Sequence, residues 1–416
     1  MLPEGFLSRL ADTAGRDVAD RFSTAVAQEG PVSIHLNPFK QPSEPDPLLE
    51  GASPVPWNGF GRFLASRPVF TLQPLFHAGA YYVQDSSAMY AGWVFRQLLD
   101  GMDLPADRGI RVLDLCAAPG GKTTDLTASL RLRLGDRFLL VANDVMRPRA
   151  AVLSDNVAVW GDPNVVVTGV DPRAFASFEG FFDMILVDAP CSGEGMFRKD
   201  EKAVQDWSPQ TVELCASRQR RILADVWPAL RKDGVLIYST CTFDRQENDG
   251  NVAWACETLD AAPLTPGNAF EGILETGYGH LLVPGMVPGE GQFVAAARKL
   301  SGPGPSRKDP AALQALRPLR HGVRKGEWKG KDFVPDPDWP LSLAFERGSW
   351  PEWGADRETA LGYLHRDALR LQDAPMGYVV LTYGSLPLGF VKNLGSRCNN
   401  LLPPSRRIRM DINRCL

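Results

Sequence analysis

The chain has 416 residues, 23% charged and 44% hydrophobic, with 39 Gly and 34 Pro; these are the proportions of a soluble globular protein with room for two to four domains of roughly 100 to 200 residues. Collagen, wholesale disorder and a small disulfide scaffold are excluded, and no apolar run approaches the ~18 residues a membrane span needs. The 45 Lys and Arg against 49 Asp and Glu leave a net charge of −4, which by itself argues against a polyanionic partner. The charge is uneven, however. Arg298 to Lys331 holds ten Lys or Arg against Asp309 and Glu327, and the last 21 residues hold five Arg against Asp411. Screening cuts off charges beyond ~8 to 10 Å, so such patches can guide a nucleic acid locally; the plain alternative is a solvated linker and tail.

The start, Met1 to Gly15, lacks a signal-peptide core, so a cytoplasmic protein is expected. The first ~30 residues read as helical from the spacing of Phe6, Leu10, Val18, Phe22 and Val26. Val32 to Leu36 alternates like a strand, and Pro38 to Pro56 reads as a loop. Between Arg111 and Phe243 short apolar strands alternate with helical stretches, the pattern of a parallel α/β sheet. The expected strands are Arg111 to Leu115, Phe138 to Ala142, Asn164 to Thr168, Asp183 to Val187 and Val235 to Ser239, with Gln292 to Ala297 closing the sheet. The best-marked helix starts at the N-cap Ser208 and carries Val212, Ala216, Leu223, Val226 and Leu230 on one face as far as Lys232-Asp-Gly234. Ser301 to Ser306 is a linker by composition, and the basic stretch after it resembles no compact element. A last unit follows, with a helix near Arg357 to Leu371 and strands at Gly377 to Thr382 and Leu388 to Val391.

The strongest local signal is the turn after the first strand, Val112-Leu-Asp-Leu-Cys-Ala-Ala-Pro-Gly-Gly-Lys-Thr-Thr124. Its small residues permit close approach of a ligand, the next helix offers unpaired amides, and Asp114 can accept from ligand hydroxyls or an amine. It matches neither G-x-x-x-x-G-K-[ST] nor G-x-G-x-x-G, so alone it reports a nucleotide-like cofactor and no more. Asp144, after the second strand, is placed for ribose hydroxyls or, alternatively, as an N-cap for a helix near Arg147; Asp171 faces the adenine or simply starts a turn. The seven cysteines, at 116, 191, 215, 241, 256, 398 and 415, form no C-x-x-C pair and read as reduced thiols. With five scattered His and no His-Glu-x-x-His, no metal is expected. Most of the cysteines read as small buried hydrophobes. Cys191 and Cys241 differ, because each lies just past the end of one of two adjacent strands and so lines one crevice.

Asp188-Ala-Pro-Cys-Ser-Gly193, Ser239-Thr-Cys-Thr242 and Cys116 to Lys122 resemble, in order, the motifs of the S-adenosylmethionine-dependent RNA cytosine 5-methyltransferases of the NSUN/RsmF family. The resemblance runs from Phe76 to Arg298 and includes Gly289-Glu-Gly-Gln-Phe-Val294. Leu388 to Gly395 and Asn399 to Leu402 resemble the PUA-like tail of the bacterial RsmF branch. Ser33 to Lys40 resembles an RNA-contacting strand, with His35 where Arg is usual. It implies an α/β protein: a small α+β RNA-binding domain (1–85), a Rossmann-like class I methyltransferase domain (86–300), a basic linker (301–332) and a PUA-like α+β domain (333–416). It implies Cys241 as nucleophile toward cytosine carbon 6, Cys191 for release, Asp188 on the ring edge and Lys122 beside the thiol or base. S-adenosylmethionine would be held by Cys116, Ala117, Ala118, Pro119, Gly120, Gly121, Lys122, Asp144, Arg149, Asp171 and Asp188. RNA would meet Asn37, Lys40, Arg198, Lys199, Lys392 and Arg397. The expected partner is small-subunit ribosomal RNA or the assembled subunit, with no membrane and a monomeric enzyme; transfer RNA is the alternative substrate. Two rivals stand beside it. An amino-methyltransferase would carry [ND]-P-P-[YF], which Asp188-Ala-Pro-Cys191 does not match; a silent RNA-binding assembly factor would keep the fold without turnover.

Overall fold

The computed structural model describes residues 2–103, 108–267 and 270–412; Cys415 lies outside them. Two helices open the chain, α1 (Phe6–Ala14) and α2 (Arg16–Val26), where one helical pattern was expected. They break at Gly15, whose φ of 97° disfavours any side chain. Phe6, Leu10, Val18 and Phe22 are buried, but against the central domain. The Phe6 ring lies 5.3 Å from Phe22, 5.0 Å from Phe197 and 5.8 Å from Trp207, and Phe22 lies 5.3 Å from Phe243. The opening helices therefore complete a core that starts a hundred residues later.

Next come β1 (Val32–Leu36), β2 (Ser53–Val55), β3 (Asn58–Leu64), α3 (Pro74–Ala78) and β4 (Tyr81–Val83). The strands form an antiparallel sheet in the order β2-β3-β1-β4. β1 lies where alternation places it, whereas β2 falls inside the stretch read as a Pro-rich loop.

The central domain runs through α4 (Tyr90–Asp100), β5 (Ile110–Asp114), α5 (Gly121–Leu134), β6 (Phe138–Asn143), α6 (Arg147–Trp160), β7 (Val165–Thr168), β8 (Phe182–Asp188), α7 (Glu201–Asp206), α8 (Pro209–Val226) and β9 (Leu230–Thr240). It continues with α9 (Asp249–Thr258), β10 (Ala261–Leu264), β11 (Leu274–Glu275), β12 (Gly279–Leu282), β13 (Gln292–Lys299) and β14 (Arg320–His321). The sheet order is β11-β12-β13-β9-β8-β5-β6-β7-β14, with β10 against β13. β5 to β9 are mutually parallel and are the five strands expected from periodicity; β13 is antiparallel to β9. The order reverses between β5 and β8, so a crevice opens beyond their carboxyl ends, where Rossmann-like folds bind ligands. Ser208 caps α8 through Thr211 N as expected, but the helix stops at Val226 and Leu230 begins β9. Pro228, with no N–H to donate, ends it early.

The stretch 301–332, expected as an unstructured linker, is folded. A 3-10 turn at Pro310–Leu316 buries Leu313, β14 adds to the edge of β7, and β15 (Gly326–Lys329) pairs with β16 (Asp332–Pro335) in a hairpin. Strands of two to four residues are too short to show a period in the sequence. The C-terminal domain follows: β17 (Glu352–Gly354), α10 (Arg357–His365), β18 (Gly377–Tyr383), β19 (Leu386–Asn393) and β20 (Cys398–Asn400), in the order β17-β18-β19-β20. Its Leu361, Leu364, Val379 and Leu388 share one apolar cluster with Ile34, Leu72, Leu75 and Tyr81 of the N-terminal sheet region. The tail is docked, then, and its core is completed by the other end of the chain.

Phe6 is 1% exposed and touches four rings across two segments. Truncating such a residue costs about 3 to 5 kcal/mol. Phe6→Ala is expected to lower the urea unfolding midpoint accordingly, whereas Leu7→Ala, on the half-buried side of the same helix, should shift it far less.

Candidate active site

The crevice is organised first by Asn143 at the end of β6. Its Nδ2 donates to Leu115 O (3.1 Å) and Val170 O (3.0 Å), and its Oδ1 accepts from Thr168 Oγ1 (2.8 Å) and Val170 N (3.0 Å). One amide thereby ties together the loops leaving β5, β6 and β7. The β5–α5 turn then crosses the crevice floor. Ala117 N donates to Asn143 O at 2.8 Å, and Gly120 adopts a φ of 116° so that the chain can enter α5.

Three carboxylates border this turn. Asp114 is fully buried; its Oδ2 accepts from Thr123 Oγ1 at 2.7 Å while its Oδ1 has no partner, and burial pushes the acid up to about 7. Asp144 is buried, accepts from Met146 N at 2.9 Å and lies 3.4 Å from Arg149 Nη2, which itself donates to Ala118 O at 2.7 Å. It is not the N-cap of α6, a place held by Met146 without a side-chain bond. Asp171 is exposed and caps the short helix after it through Arg173 N, the ordinary turn role. Cys116 sits beside these groups; burial, then the charges of Asp188, Asp114 and Asp144, push its thiol far up, so it acts as an inert lining. These residues fit S-adenosylmethionine. The unpartnered Asp114 Oδ1 is an acceptor awaiting an amine or hydroxyl, Asp144 offers a second, and the narrow turn admits a flat nucleoside close to backbone.

The other residues expected at the site lie one strand further. β8 and β9 pair with Asp188 opposite Ser239, and Ser239 Oγ donates to Asp188 Oδ1 at 2.7 Å. Lys122 Nζ donates to Asp188 Oδ2 at 2.9 Å, and Gln292 Nε2 lies 3.5 Å from Oδ1. Burial disfavours the Lys122 ammonium, but the charge and hydrogen bond of Asp188, with Cys241 and Asp114 adding, push its pKa above the ordinary value. Cys191 Sγ and Cys241 Sγ are 3.1 Å apart. The hydrogen bond with Cys241, then burial and the charges of Cys241 and Glu247, push the Cys191 thiol well up. Two neighbouring thiols cannot both ionise cheaply.

A reciprocal clasp fixes that separation. Ser192 N, beside Cys191, donates to Glu247 Oε2 of the β9 loop at 3.1 Å, while Phe243 N, beyond Cys241, donates to Glu194 Oε2 of the β8 loop at 2.8 Å. Gln219 and Trp207 hold the two carboxylates from behind. Gly195 and Gly291 pass so closely that a Cβ on either would lie 2.7 Å from the other's Cα. Ser239, Glu194, Glu247 and Gln292 were not singled out from the sequence. Ser239 and Gln292 sit inside the quoted motifs and Glu194 directly follows one, whereas Glu247 carries no local signal.

The structure corrects three of the expected RNA contacts. Asn37 is buried and donates to Gly79 O (3.1 Å) and Trp160 O (3.2 Å). Lys40 is buried and donates to Ala78 O (3.1 Å) and Val159 O (2.6 Å), with burial, then Arg406, lowering its pKa to about 7. Both are internal staples with no face left for RNA. Arg198 has 8% of its side chain exposed and lies 3.5 Å from Glu290. His35, too, is buried, stacked on Trp160 at 5.2 Å. Lys199 remains 39% exposed beside Glu290 and Asp85, Lys392 lies over the Tyr378 ring, and Arg397 is exposed.

No helix among the described residues is long and apolar enough to cross a membrane, and no group of three or more His, Cys, Asp or Glu among them could hold a metal. Family profiles match three stretches: the N-terminal domain of 16S rRNA methyltransferase RsmF over residues 2–86, 16S rRNA methyltransferase RsmB/F over 102–298, and the methyltransferase RsmF PUA domain over 352–408. A ribosomal RNA small subunit methyltransferase F from Salmonella schwarzengrund is 34% identical, covering 96% of this chain and 95% of that protein. One from Cronobacter sakazakii is 31% identical over 97% and 95%. Among solved structures, a methyltransferase homologue from Pyrococcus horikoshii (26% identity, TM-score 0.57, 70% of this chain and 94% of that one) shares the fold. So does NSun6 from Pyrococcus horikoshii with SFG (19%, TM-score 0.58, 72% and 99%). The cofactor is S-adenosylmethionine, and the chain belongs to the ribosomal RNA small subunit methyltransferase F family, built as a Rossmann-like methyltransferase with a C-terminal PUA domain.

Proposed function

We propose that the chain methylates carbon 5 of a cytosine in small-subunit ribosomal RNA, with Cys241 as the nucleophile. The observation that carries this reading is the pair of thiols 3.1 Å apart beside the Lys122–Asp188 ion pair. An amino-methyltransferase has no use for a nucleophilic sulfur, and the clasp through Glu194 and Glu247 would be wasted on a silent binding factor.

Carbon 5 of cytosine is a poor nucleophile until a thiolate adds at carbon 6. Cys241 forms that carbon–sulfur bond, and the ring electrons move toward the edge held by Asp188. The Lys122 ammonium, close enough to feel Cys241, stabilises the thiolate before attack and holds Asp188 oriented. Bound S-adenosylmethionine supplies the methyl group. The carbon 5 proton then passes to water, the carbon–sulfur bond breaks with its electrons returning to Cys241, and the neighbouring Cys191 thiol, 3.1 Å away, assists by donating a hydrogen bond to the departing sulfur. The target base must leave any stack to reach the sulfur, at a cost of a few kcal/mol, which favours unpaired RNA. The PUA domain supports a structured ribosomal substrate over transfer RNA.

Labelled S-adenosylmethionine and small-subunit ribosomal RNA, followed by mapping of the modified atom, test the reading: methyl at carbon 5 is expected, and methyl on a nitrogen would overturn it. Cys241→Ala should lower transfer by several orders of magnitude and form no adduct. Cys191→Ala should instead accumulate protein covalently joined to RNA on a denaturing gel; the opposite pattern would reverse the two roles.

Asp114 gives a pH signature. Its raised pKa of about 7 means that the empty site holds a proton there at lower pH, and an amine or hydroxyl donor must displace it. Calorimetric affinity for S-adenosylmethionine is expected to be flat above about pH 7 and to fall up to about tenfold per unit below it. Asp114→Asn should weaken binding and flatten that slope.

A further inference from the structure

The stretch 299–351 lies between the matched catalytic and PUA regions, and the hairpin it contains displays a side chain that folding does not explain. Trp328, on β15, is 71% exposed. We propose that this hairpin and the rings behind it bind unpaired nucleotides of the RNA by stacking, as a site separate from the thiol crevice; the inference rests on RNA being the substrate but not on carbon 5 chemistry.

The rings form a continuous ladder. Trp328 meets Phe333 edge-on at 5.4 Å, Phe333 faces Trp350 at 6.3 Å and 23°, and Trp350 meets Tyr378 edge-on at 6.0 Å. Lys392 Nζ lies 5.0 Å from the centre of the Tyr378 ring, closing the line on the C-terminal sheet. Phe333, Trp350 and Tyr378 are each partly exposed. Cations are interleaved with them. From Arg324 to Lys331 there are four Lys or Arg (Arg324, Lys325, Lys329 and Lys331) against Glu327. The Arg324 and Lys329 side chains are 79% and 65% exposed, near Asp336 (3.6 Å) and Glu327 (3.1 Å) respectively. Exposed ion pairs of that kind are worth little, so phosphates can replace the carboxylates readily. Aromatic faces alternating with cations suit single-stranded nucleic acid, since every base offers a ring face whatever its identity. A protein partner would find charged groups along the same line that it must strip of water.

The test uses the full-length protein and a fluorescein-labelled, unstructured twelve-nucleotide RNA, read by anisotropy at two salt concentrations. Trp328→Ala should weaken binding roughly tenfold while Trp328→Phe retains most of it. A Lys329→Ala/Lys392→Ala double variant should lower the salt slope by about one to two. S-adenosylmethionine affinity should stay unchanged in all of them. Equal affinity in the parent and Trp328→Ala would overturn the inference and leave the ladder as a protein-docking face. If Trp328→Ala loses RNA binding while the parent's methyl maps to a nitrogen, the ladder stands and the carbon 5 reading falls. Methyl at carbon 5 together with unchanged binding in Trp328→Ala would sink the ladder and keep the carbon 5 reading.

Discussion

The parallel pairing of β8 with β9 sets the geometry on which the site depends. With Asp188 opposite Ser239, the residues three and two positions further on, Cys191 and Cys241, leave adjacent strand ends on the same side of the crevice. Strand ends alone would not hold two sulfurs at 3.1 Å, because loops diverge once the ladder stops. The clasp through Glu194 and Glu247 supplies the missing constraint, each loop donating a backbone amide to a carboxylate from the other. Burying two carboxylates carries a substantial desolvation penalty, visible in the upward shift of Glu247 to about 7. Their amide, indole and side-chain donors offset it.

The constraint extends outward through the rings. Phe243, whose amide closes the clasp, packs on Phe22, and Arg9 donates to Asp244 Oδ2 at 2.6 Å. The opening helices thus brace the loop that follows Cys241. At the other end the N-terminal sheet shares its apolar cluster with the C-terminal domain. The three segments recognised as separate family regions are joined in space by cores that none completes alone.

That sharing explains what could and could not be read from the residues. The parallel strands were visible because each is a short, continuous apolar run buried on both faces, and the thiols because topology alone places them together. The helix break at Gly15 and the hairpin at 326–335 are local features too short to show a period, whereas the docked tail depends on partners distant in sequence. Asn37, Lys40 and Arg198 were assigned to RNA through the resemblance, yet a motif match says nothing of burial. An amide or ammonium serves equally well to satisfy helix-end carbonyls such as Trp160 O and Val159 O.

Under the proposed chemistry, the two thiols must behave differently although they share one crevice. Their environments supply the difference. The Cys191 side faces the Glu247 carboxylate and the sulfur of its neighbour, and both oppose a second negative charge. Lys122, which is close enough to Cys241 to be stabilised by it, is also bonded to Asp188, and the ammonium therefore links the nucleophile to the group that meets the base. A charge arriving on the ring edge would compete with Asp188 for the same ammonium. Lys122 is thus placed to relax its hold on Cys241 as the ring takes up electron density and to regain it when the sulfur departs.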